Sequence, residues 1–158
     1  MKKLGLADWA SLAEVVGAAA VVVSLIYVGV QVRDNTEAVR AANRQEMVGR
    51  AHYATISVAT TPELAESLAK SVNNQELSKA EQEQYGFFVR AMLYDVQESF
   101  LLHKEKRLDE GYWMTRDAVF KAYMQQKFAR EIYIRDKSLG LLHRDFALWA
   151  DTVLEDLP

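Results

Sequence analysis

The side chains that could do chemistry in this chain are few and scattered. The chain contains no cysteine, which excludes disulfides, thiolate metal ligands and cysteine nucleophiles. Its three histidines, His52, His103 and His143, fall on three different predicted helices. None has a second histidine or a glutamate at the Glu-x-x-His spacing that helical metal sites use. A glycine-rich phosphate loop and a nucleophile elbow are also lacking. The sequence therefore predicts no catalytic residue, no metal and no cofactor, and we expect a protein that is not an enzyme.

The charged residues indicate surface pairing rather than catalysis or nucleic-acid binding. Lys and Arg number 19 against 22 Asp and Glu, a net charge of −3. No basic block is present that would follow a phosphate backbone, so we expect no nucleic-acid partner. Asp95 and Glu98 share one face of the longest predicted helix, where a solvated face or salt bridges explain them best. Arg130, Arg135 and Arg144 near the last helix would suit an anion, but surface ion pairs are their more common role.

The composition favours helices along the whole chain. Only two prolines and seven glycines occur in 158 residues, and alanine, leucine, glutamate, lysine and arginine are frequent. No internal repeat or strand-like alternation is present. The sequence therefore predicts an all-α protein with one domain of ordinary size and an anchor.

One apolar segment near the N-terminus is long enough to cross a bilayer. Residues 15–30 carry no charge, and a helix over residues 12–32 is roughly 30 Å long, the thickness of the hydrocarbon core. A buried core helix is the first alternative, disfavoured because the rest of the chain would have to wrap a helix that is apolar all round. A cleaved signal peptide is the second. Asp8 and Glu14, which precede the apolar run, and the lack of a small-x-small cleavage site argue against it.

Four parts of the chain follow from this segment: a short N-terminal segment (1–11), a transmembrane helix (12–32), a helical stalk (33–59) and a soluble helical bundle (60–158). The numbers of lysines and arginines near the two membrane boundaries predict the orientation. Lys2 and Lys3 precede the span, whereas four arginines, at 33, 40, 44 and 50, follow it. We therefore expect the soluble bundle to lie in the cytoplasm.

Capping signals divide the soluble part into four predicted helices after the stalk, which should end near Ala59. The first helix runs from Pro62 to about Val72 with a threonine cap. The second opens at a capping box formed by Ser78 and Glu81 and extends over residues 79–107.

The C-terminal third continues the predicted bundle. A third helix covers about 112–127, a looser segment covers 128–137, and one more helix closes the chain. Apolar residues at helical spacing predict the core of the whole bundle, and these are Leu64, Leu68, Val72, Tyr85, Phe88, Val89, Met92, Val96, Ser99, Phe100, Trp113, Phe120, Tyr123, Met124, Leu139, Leu142, Phe146, Trp149 and Val153.

A stripe of small and polar residues runs from the predicted span into the stalk, and we name it the association stripe. Its gaps alternate between three and four residues, the 3.5-residue period of a left-handed supercoil. Small residues let helices approach closely in lipid, so the stripe predicts self-association. The alternative is that an alanine- and valine-rich span shows small residues on any face. The members of the stripe are Glu14, Gly17, Val21, Ser24, Val28, Gln31, Asn35, Ala38, Ala42, Gln45 and Gly49.

Glu14 is the single charged residue of the 12–32 segment. A carboxylate at the centre of a bilayer costs a few kcal/mol, but less near an end of the span. Ser11 and Glu14 match a capping box, which is the favoured explanation. The alternative is a ring of carboxylates at the mouth of an oligomeric pore.

The N-terminal run resembles a family of small, uncharacterised bacterial proteins. Members begin with a membrane helix that ends in the pattern S-L-I-Y-hydrophobic-x-hydrophobic-Q-hydrophobic-R-x-N-T, matched here from Ser24 to Thr36. Residues 145–151 (DFALWAD) are similar to an acidic-Phe segment near the family's C-terminus. The resemblance implies a bacterial inner-membrane protein with a single span, and it implies no chemistry.

These observations lead to one hypothesis and one alternative from another class. The first is a membrane-tethered, self-associating helical interaction or scaffold module, with the lipid bilayer and further copies of the chain as partners. The alternative is an oligomeric membrane channel lined by Glu14, Ser24 and Gln31 of the N-terminal helix. Conductance across a planar bilayer distinguishes them.

Overall fold

The computed structural model of the chain describes residues 5–157, except for the side chains of Ala7 and Asp8. This range folds into six α-helices without a β-strand, which confirms the predicted all-α class. Lys2 and Lys3, on which the predicted orientation depends, lie outside the described residues. The helices are α1 (Leu6–Thr60), α2 (Pro62–Val72), α3 (Lys79–Lys104), α4 (Glu110–Met124), α5 (Lys127–Ser138) and α6 (Arg144–Glu155).

The chain divides into two compact units, and the boundary falls inside α1. The first unit, up to Val39, holds the N-terminal part of α1; the second, from Arg40, holds the rest of α1 and helices α2–α6. α1 ends at Thr60, as predicted for the end of the stalk, because Pro62 disfavours helical backbone at Thr61. Thr61 has φ −120° and ψ 93°, which is extended backbone.

Local capping sequences set the ends of α2 and α3. Both bonds of the predicted capping box are present, with the Ser78 hydroxyl accepting the Glu81 N–H and the Glu81 carboxylate accepting the Ser78 N–H. α2 ends at Val72 with Asn73 as its C-cap, and Asn74 takes the left-handed conformation that asparagine tolerates, with φ 51°. The predicted threonine, Thr61, stands at the N-cap of α2, but it does not cap the helix through its side chain. The Thr61 side chain makes no capping bond, and its carbonyl oxygen accepts the N–H groups of the first turn instead.

α3 is the central helix of the second unit, and α2, α4, α5 and α6 all pack against it. Most of the predicted core positions lie in one hydrophobic cluster around it, either buried or partly buried. The largest fully buried apolar side chains of that cluster are Tyr85, Val89, Leu93, Val96, Phe120, Met124, Tyr133 and Phe146.

The bundle differs from the prediction in having five helices after α1 rather than four. The segment expected to be loose, 128–137, is the helix α5. Its buried residues are Ala129, Ile132, Tyr133 and Asp136, the i, i+3, i+4 and i+7 positions of one helical face. Because the last of these is a charged residue, the face does not read as an apolar stripe in the sequence.

Several predicted boundaries and core positions also shift. α3 ends at Lys104 rather than Arg107, since Lys106 has φ 60° and breaks the helix. α4 begins at Glu110, capped by the Asp109 side chain, and ends at Met124. Val72 and Leu139 are 56% and 64% exposed, so they are wrong as core residues. Val72 is the last residue of α2, and Leu139 is the C-cap of α5, outside the last helix to which the spacing of apolar residues assigned it.

Candidate functional site

The N-terminal part of α1 is an apolar helix whose described side chains are exposed. Every described side chain from Trp9 to Ala38 is exposed. Valine, leucine and isoleucine residues dominate this surface, and Leu25 and Ile26 are 67% and 63% exposed. The most apolar window has a mean hydropathy of 2.3 and none of it is buried, and within the described residues this is the one helix long and apolar enough to cross a membrane. The alternative of a buried core helix is therefore wrong.

The association stripe is exposed in the first unit, with Glu14, Gly17, Ser24, Gln31 and Asn35 all open to the surroundings. A methyl group added at Gly17 would meet no atom within 4 Å. The Gln31 side-chain amide donates a hydrogen bond of 2.8 Å to the hydroxyl of Tyr27, one turn earlier. That bond satisfies one hydrogen-bond donor of the Gln31 amide, which lies on a mostly apolar helix surface.

The predicted cap at Glu14 is wrong. α1 begins at Leu6, so Ser11 and Glu14 both lie inside the helix and cannot cap its first turn. Residues 6–10 already have helical backbone because alanine, leucine and tryptophan there do not interrupt the helix. Glu14 is thus an exposed carboxylate on the helix surface, close to the beginning of the apolar run.

In the second unit, the association stripe lies on the side of α1 that does not pack on the bundle. Ala42, Gln45 and Gly49 are exposed, whereas Met47 is fully buried. Since each residue advances about 100° around a helix, Met47 is on nearly the opposite side from this stretch of the stripe. The bundle therefore leaves this stretch of the stripe uncovered.

The opposite side of α1, over residues 40–58, contacts α3, the α3–α4 loop and α4, and we name this contact the joint. Its first half is made by polar side chains. Arg40 Nε and Asn43 Nδ2 each donate to a loop carbonyl oxygen, of Lys106 and Arg107, at 3.0 Å. Arg44 Nη1 lies 2.9 Å from Asp109 Oδ2. Arg44 lowers the pKa of Asp109, the carboxylate that also caps α4.

The second half of the joint is an ionic cluster around Asp95. Arg50 Nε lies 3.2 Å from Asp95 Oδ1, and Arg116 Nη1 lies 3.3 Å from Asp95 Oδ2. Arg50 also pairs with Glu98, and Arg116 Nη2 donates to the Met47 carbonyl oxygen at 3.1 Å. Burial raises the pKa of Asp95, against the opposing effect of the two arginines. Asp95 and Glu98 are therefore salt-bridge partners, as the sequence suggested.

Hydrogen bonding within this ionic cluster is incomplete. The Nε atoms of Arg50 and Arg116 and the Oδ1 atom of Asp95 are buried without a well-aligned hydrogen bond. Arg50 Nε and Asp95 Oδ1 nevertheless lie within ion-pair distance of each other. Buried polar groups left in this way weaken a contact, because each has lost water without gaining a full replacement.

Two of the three histidines, His103 and His143, serve separate structural roles. The His103 ring stacks on Trp113 with centroids 5.4 Å apart, and its Nε2 lies 3.7 Å from Glu110 Oε2. His143 caps α6 by accepting the Asp145 N–H on Nδ1 at 3.2 Å. His52 is exposed on α1. Over residues 5–157, no group of three histidine, aspartate or glutamate side chains is placed to hold a metal ion.

The three arginines that would suit an anion are not brought together. Arg130 Nε donates to the Met124 carbonyl oxygen, Arg135 Nε lies 3.5 Å from Asp136 Oδ1, and Arg144 begins α6. Arg135 does line a groove of about 360 Å³ between α3 and α5, together with Arg90. The groove lacks the net positive charge that would attract an anion. Asp136 pairs with both arginines, and Glu83 also lines the groove.

No protein-family model matches this chain, and no curated protein or solved structure is significantly similar to it. The resemblance to small bacterial membrane proteins consequently stays a prediction.

The joint is the part of the site that sequence reasoning missed. The sequence indicated only one role for Arg40, Arg44 and Arg50, that of charges that set the membrane orientation. Their spacing, with Asn43 and Met47 between them, places all five on one helical face and was the available signal. A polar face of that kind is indistinguishable from a solvated one until its partners are known.

Proposed function

We propose that this chain is a single-pass membrane protein whose bundle is a membrane-tethered, self-associating interaction module. The observation that carries the proposal is the complete exposure of an apolar helix surface between Trp9 and Val32. Leaving one large aliphatic side chain in water costs about 1.5–3 kcal/mol, and this surface holds many of them. A hydrocarbon environment removes that cost, and the segment has the length to cross one.

The proposed membrane is the bacterial inner membrane, with the bundle in the cytoplasm. The support is the excess of arginines after the span and the resemblance of Ser24 to Thr36 to a bacterial membrane pattern. Tagging either end of the chain and testing its access to protease in intact and opened vesicles measures the orientation. Protection of a C-terminal tag in right-side-out vesicles is expected.

Self-association is supported by the uncovered association stripe. In lipid, helices gain no hydrophobic driving force from meeting, so close backbone approach and interhelical polar contacts must supply the stability. Gly17 and Ser24 permit close approach, and Gln31 and Asn35 add polar groups that fix register at some cost in stability. Within the second unit, the stripe positions Ala42, Gln45 and Gly49 lie opposite Met47 and the joint, so a second copy would meet this part of α1 without displacing the bundle.

The test uses single cysteines in a chain that has none. Cysteines replacing Ser24, Gln31 and Ala38 should crosslink between copies in native membranes. Cysteines replacing Ile26 and Arg33 should not, although both residues are also exposed in the structure. Equal crosslinking at all five positions would remove the stripe as an interface.

A pair of glycine variants supplies a second test with a matched control. A Cβ atom added at Gly17 or at Gly29 meets no atom within 4 Å, and both positions are exposed, so both face open space within a single copy. Gly17→Leu is expected to reduce the oligomeric fraction in nanodiscs, whereas Gly29→Leu, which lies off the stripe, is expected to preserve it. A parent chain that is monomeric in nanodiscs would refute self-association.

The oligomeric channel lined by Glu14, Ser24 and Gln31 uses the same stripe, and conductance separates the two functions. A scaffold gives a silent planar bilayer, whereas a channel gives stepwise currents. If currents are found, Glu14→Gln should change their cation selectivity, because a ring of carboxylates would line the mouth.

A further inference from the structure

The joint holds α1 to the bundle by contacts of a different kind from those that hold the bundle together. Helices α2–α6 share a continuous apolar core. In the described part of α1, Met47 is the one fully buried hydrophobic side chain, and Val58 packs on the core only partly buried. The other contacts described for the joint are ion pairs and hydrogen bonds to backbone carbonyl oxygens.

These polar contacts are weak because some are exposed to solvent and others have incomplete hydrogen bonding. The side chains of Arg44 and Asp109 are 42% and 37% exposed, so water and salt compete for their charges. Arg50 and Asp95 are better shielded, at 33% and 18%, but buried atoms of both lack aligned hydrogen bonds. Ion pairs of this kind are screened as ionic strength rises, with a Debye length of about 10 Å at 0.1 M and about 3 Å at 1 M.

We propose that the joint is a reversible ionic clamp, which releases residues 40–58 of α1 from α3 and α4 while helices α2–α6 stay folded. Arg50 is its central residue, since it bridges from α1 to both Asp95 and Glu98 of α3. Release uncovers those two carboxylates together with Arg116. The clamp goes beyond the proposed function, because it operates within one copy and does not require a second.

A clamp at this place links the apolar segment to the bundle. α1 is one continuous helix from Leu6 to Thr60, and only Thr61 separates it from α2. A movement of α1 that breaks the Arg50 contacts would therefore change which surface of α3 is open to a partner.

The experiment measures distances between two spin labels in the full chain in nanodiscs, diluted with unlabelled chain so that only distances within one copy are recorded. The reporting pair is Tyr53→Cys on α1 and Met114→Cys on α4, which are 76% and 62% exposed. The control pair, Met114→Cys and Leu148→Cys, lies wholly within the bundle, on α4 and α6.

The reporting pair should gain a second, longer distance as KCl rises from about 0.1 M to about 1 M. Arg50→Gln should show that distance already at low salt, with its population raised about five-fold over the parent. Lys121→Gln is the matched control, because the Lys121 side chain pairs with Asp117 of its own helix at 2.7 Å and neither residue belongs to the joint. It should behave as the parent, and the control pair should stay unchanged throughout.

Two results overturn the clamp. One is a single narrow distance for the reporting pair at every salt concentration, in the parent and in Arg50→Gln. The other is equal broadening of both pairs, which would mean that the whole unit loosens rather than the joint. The parent's salt titration decides the matter even if Arg50→Gln does not fold.

Discussion

Asp136 is fully buried between α3 and α5, and its removal is the most demanding test of the fold. Its carboxylate accepts two hydrogen bonds from Arg90, Nε at 2.7 Å and Nη2 at 3.1 Å. Asp136→Ala leaves the Arg90 guanidinium, which is 22% exposed, without its only bidentate partner in the described residues. Removing one member of a buried ion pair costs about 3–5 kcal/mol, because the remaining charge stays desolvated.

We expect Asp136→Ala to lower the free energy of unfolding by about 3 kcal/mol, the lower end of that range, because water reaches part of Arg90. For a unit of this size the melting midpoint should fall by about 10–20 °C. Asp136→Asn keeps the shape and one acceptor oxygen, so its loss should be about half as large. Tryptophan fluorescence of the full chain in detergent reports on the bundle through Trp113 and Trp149.

Glu131→Ala is the matched control, since it removes an exposed carboxylate from the same helix. It should change the free energy of unfolding by no more than about 0.5 kcal/mol. If the free energies of unfolding of Asp136→Ala and Glu131→Ala differ by less than about 1 kcal/mol, the ion pair does not hold α5 to α3 and the prediction is wrong.

Three further predictions test other parts of the chain. Val22→Arg should abolish stable fractionation with membranes while Val22→Leu does not, because arginine at mid-span costs about 2.5–3.5 kcal/mol; a variant that still pellets with membranes contradicts the span. Trp149→Ala should destabilise the bundle by about 3 kcal/mol, because the centroids of four aromatic rings lie 5.0–5.5 Å from the centroid of the Trp149 ring. An unchanged melting midpoint would place Trp149 outside the core. The bond from Lys70 and the cap at Ser78 lower the pKa of Glu81 from 4.5 to about 2, so its contribution is present above pH 4.5 and is lost as the pH falls towards 2. The difference in midpoint between the parent and Glu81→Gln should shrink over that window, and a constant difference would refute the linkage.

Local sequence determined the elements whose signals lie in neighbouring residues. Pro62 sets the boundary between α1 and α2, and the Ser78–Glu81 box starts α3, because each acts on backbone groups within one helical turn. The all-α class follows from composition, and the apolar run of α1 from simple hydropathy. Such signals need no partner elsewhere in the chain, so the sequence contains them in full.

Only the tertiary structure decided which polar residues are partners. Asp136 completes the buried face of α5, but its role depends on Arg90, 46 positions earlier in the chain. Arg50 contacts Glu98 across a separation of 48 positions, and nothing adjacent to either residue marks the pair. Burial stabilises an apolar side chain whichever apolar residues surround it, whereas burial of a charged side chain requires a specific partner of opposite charge. The sequence therefore predicts helices and much of the apolar core, and the fold alone assigns the ionic contacts of α5 and the joint.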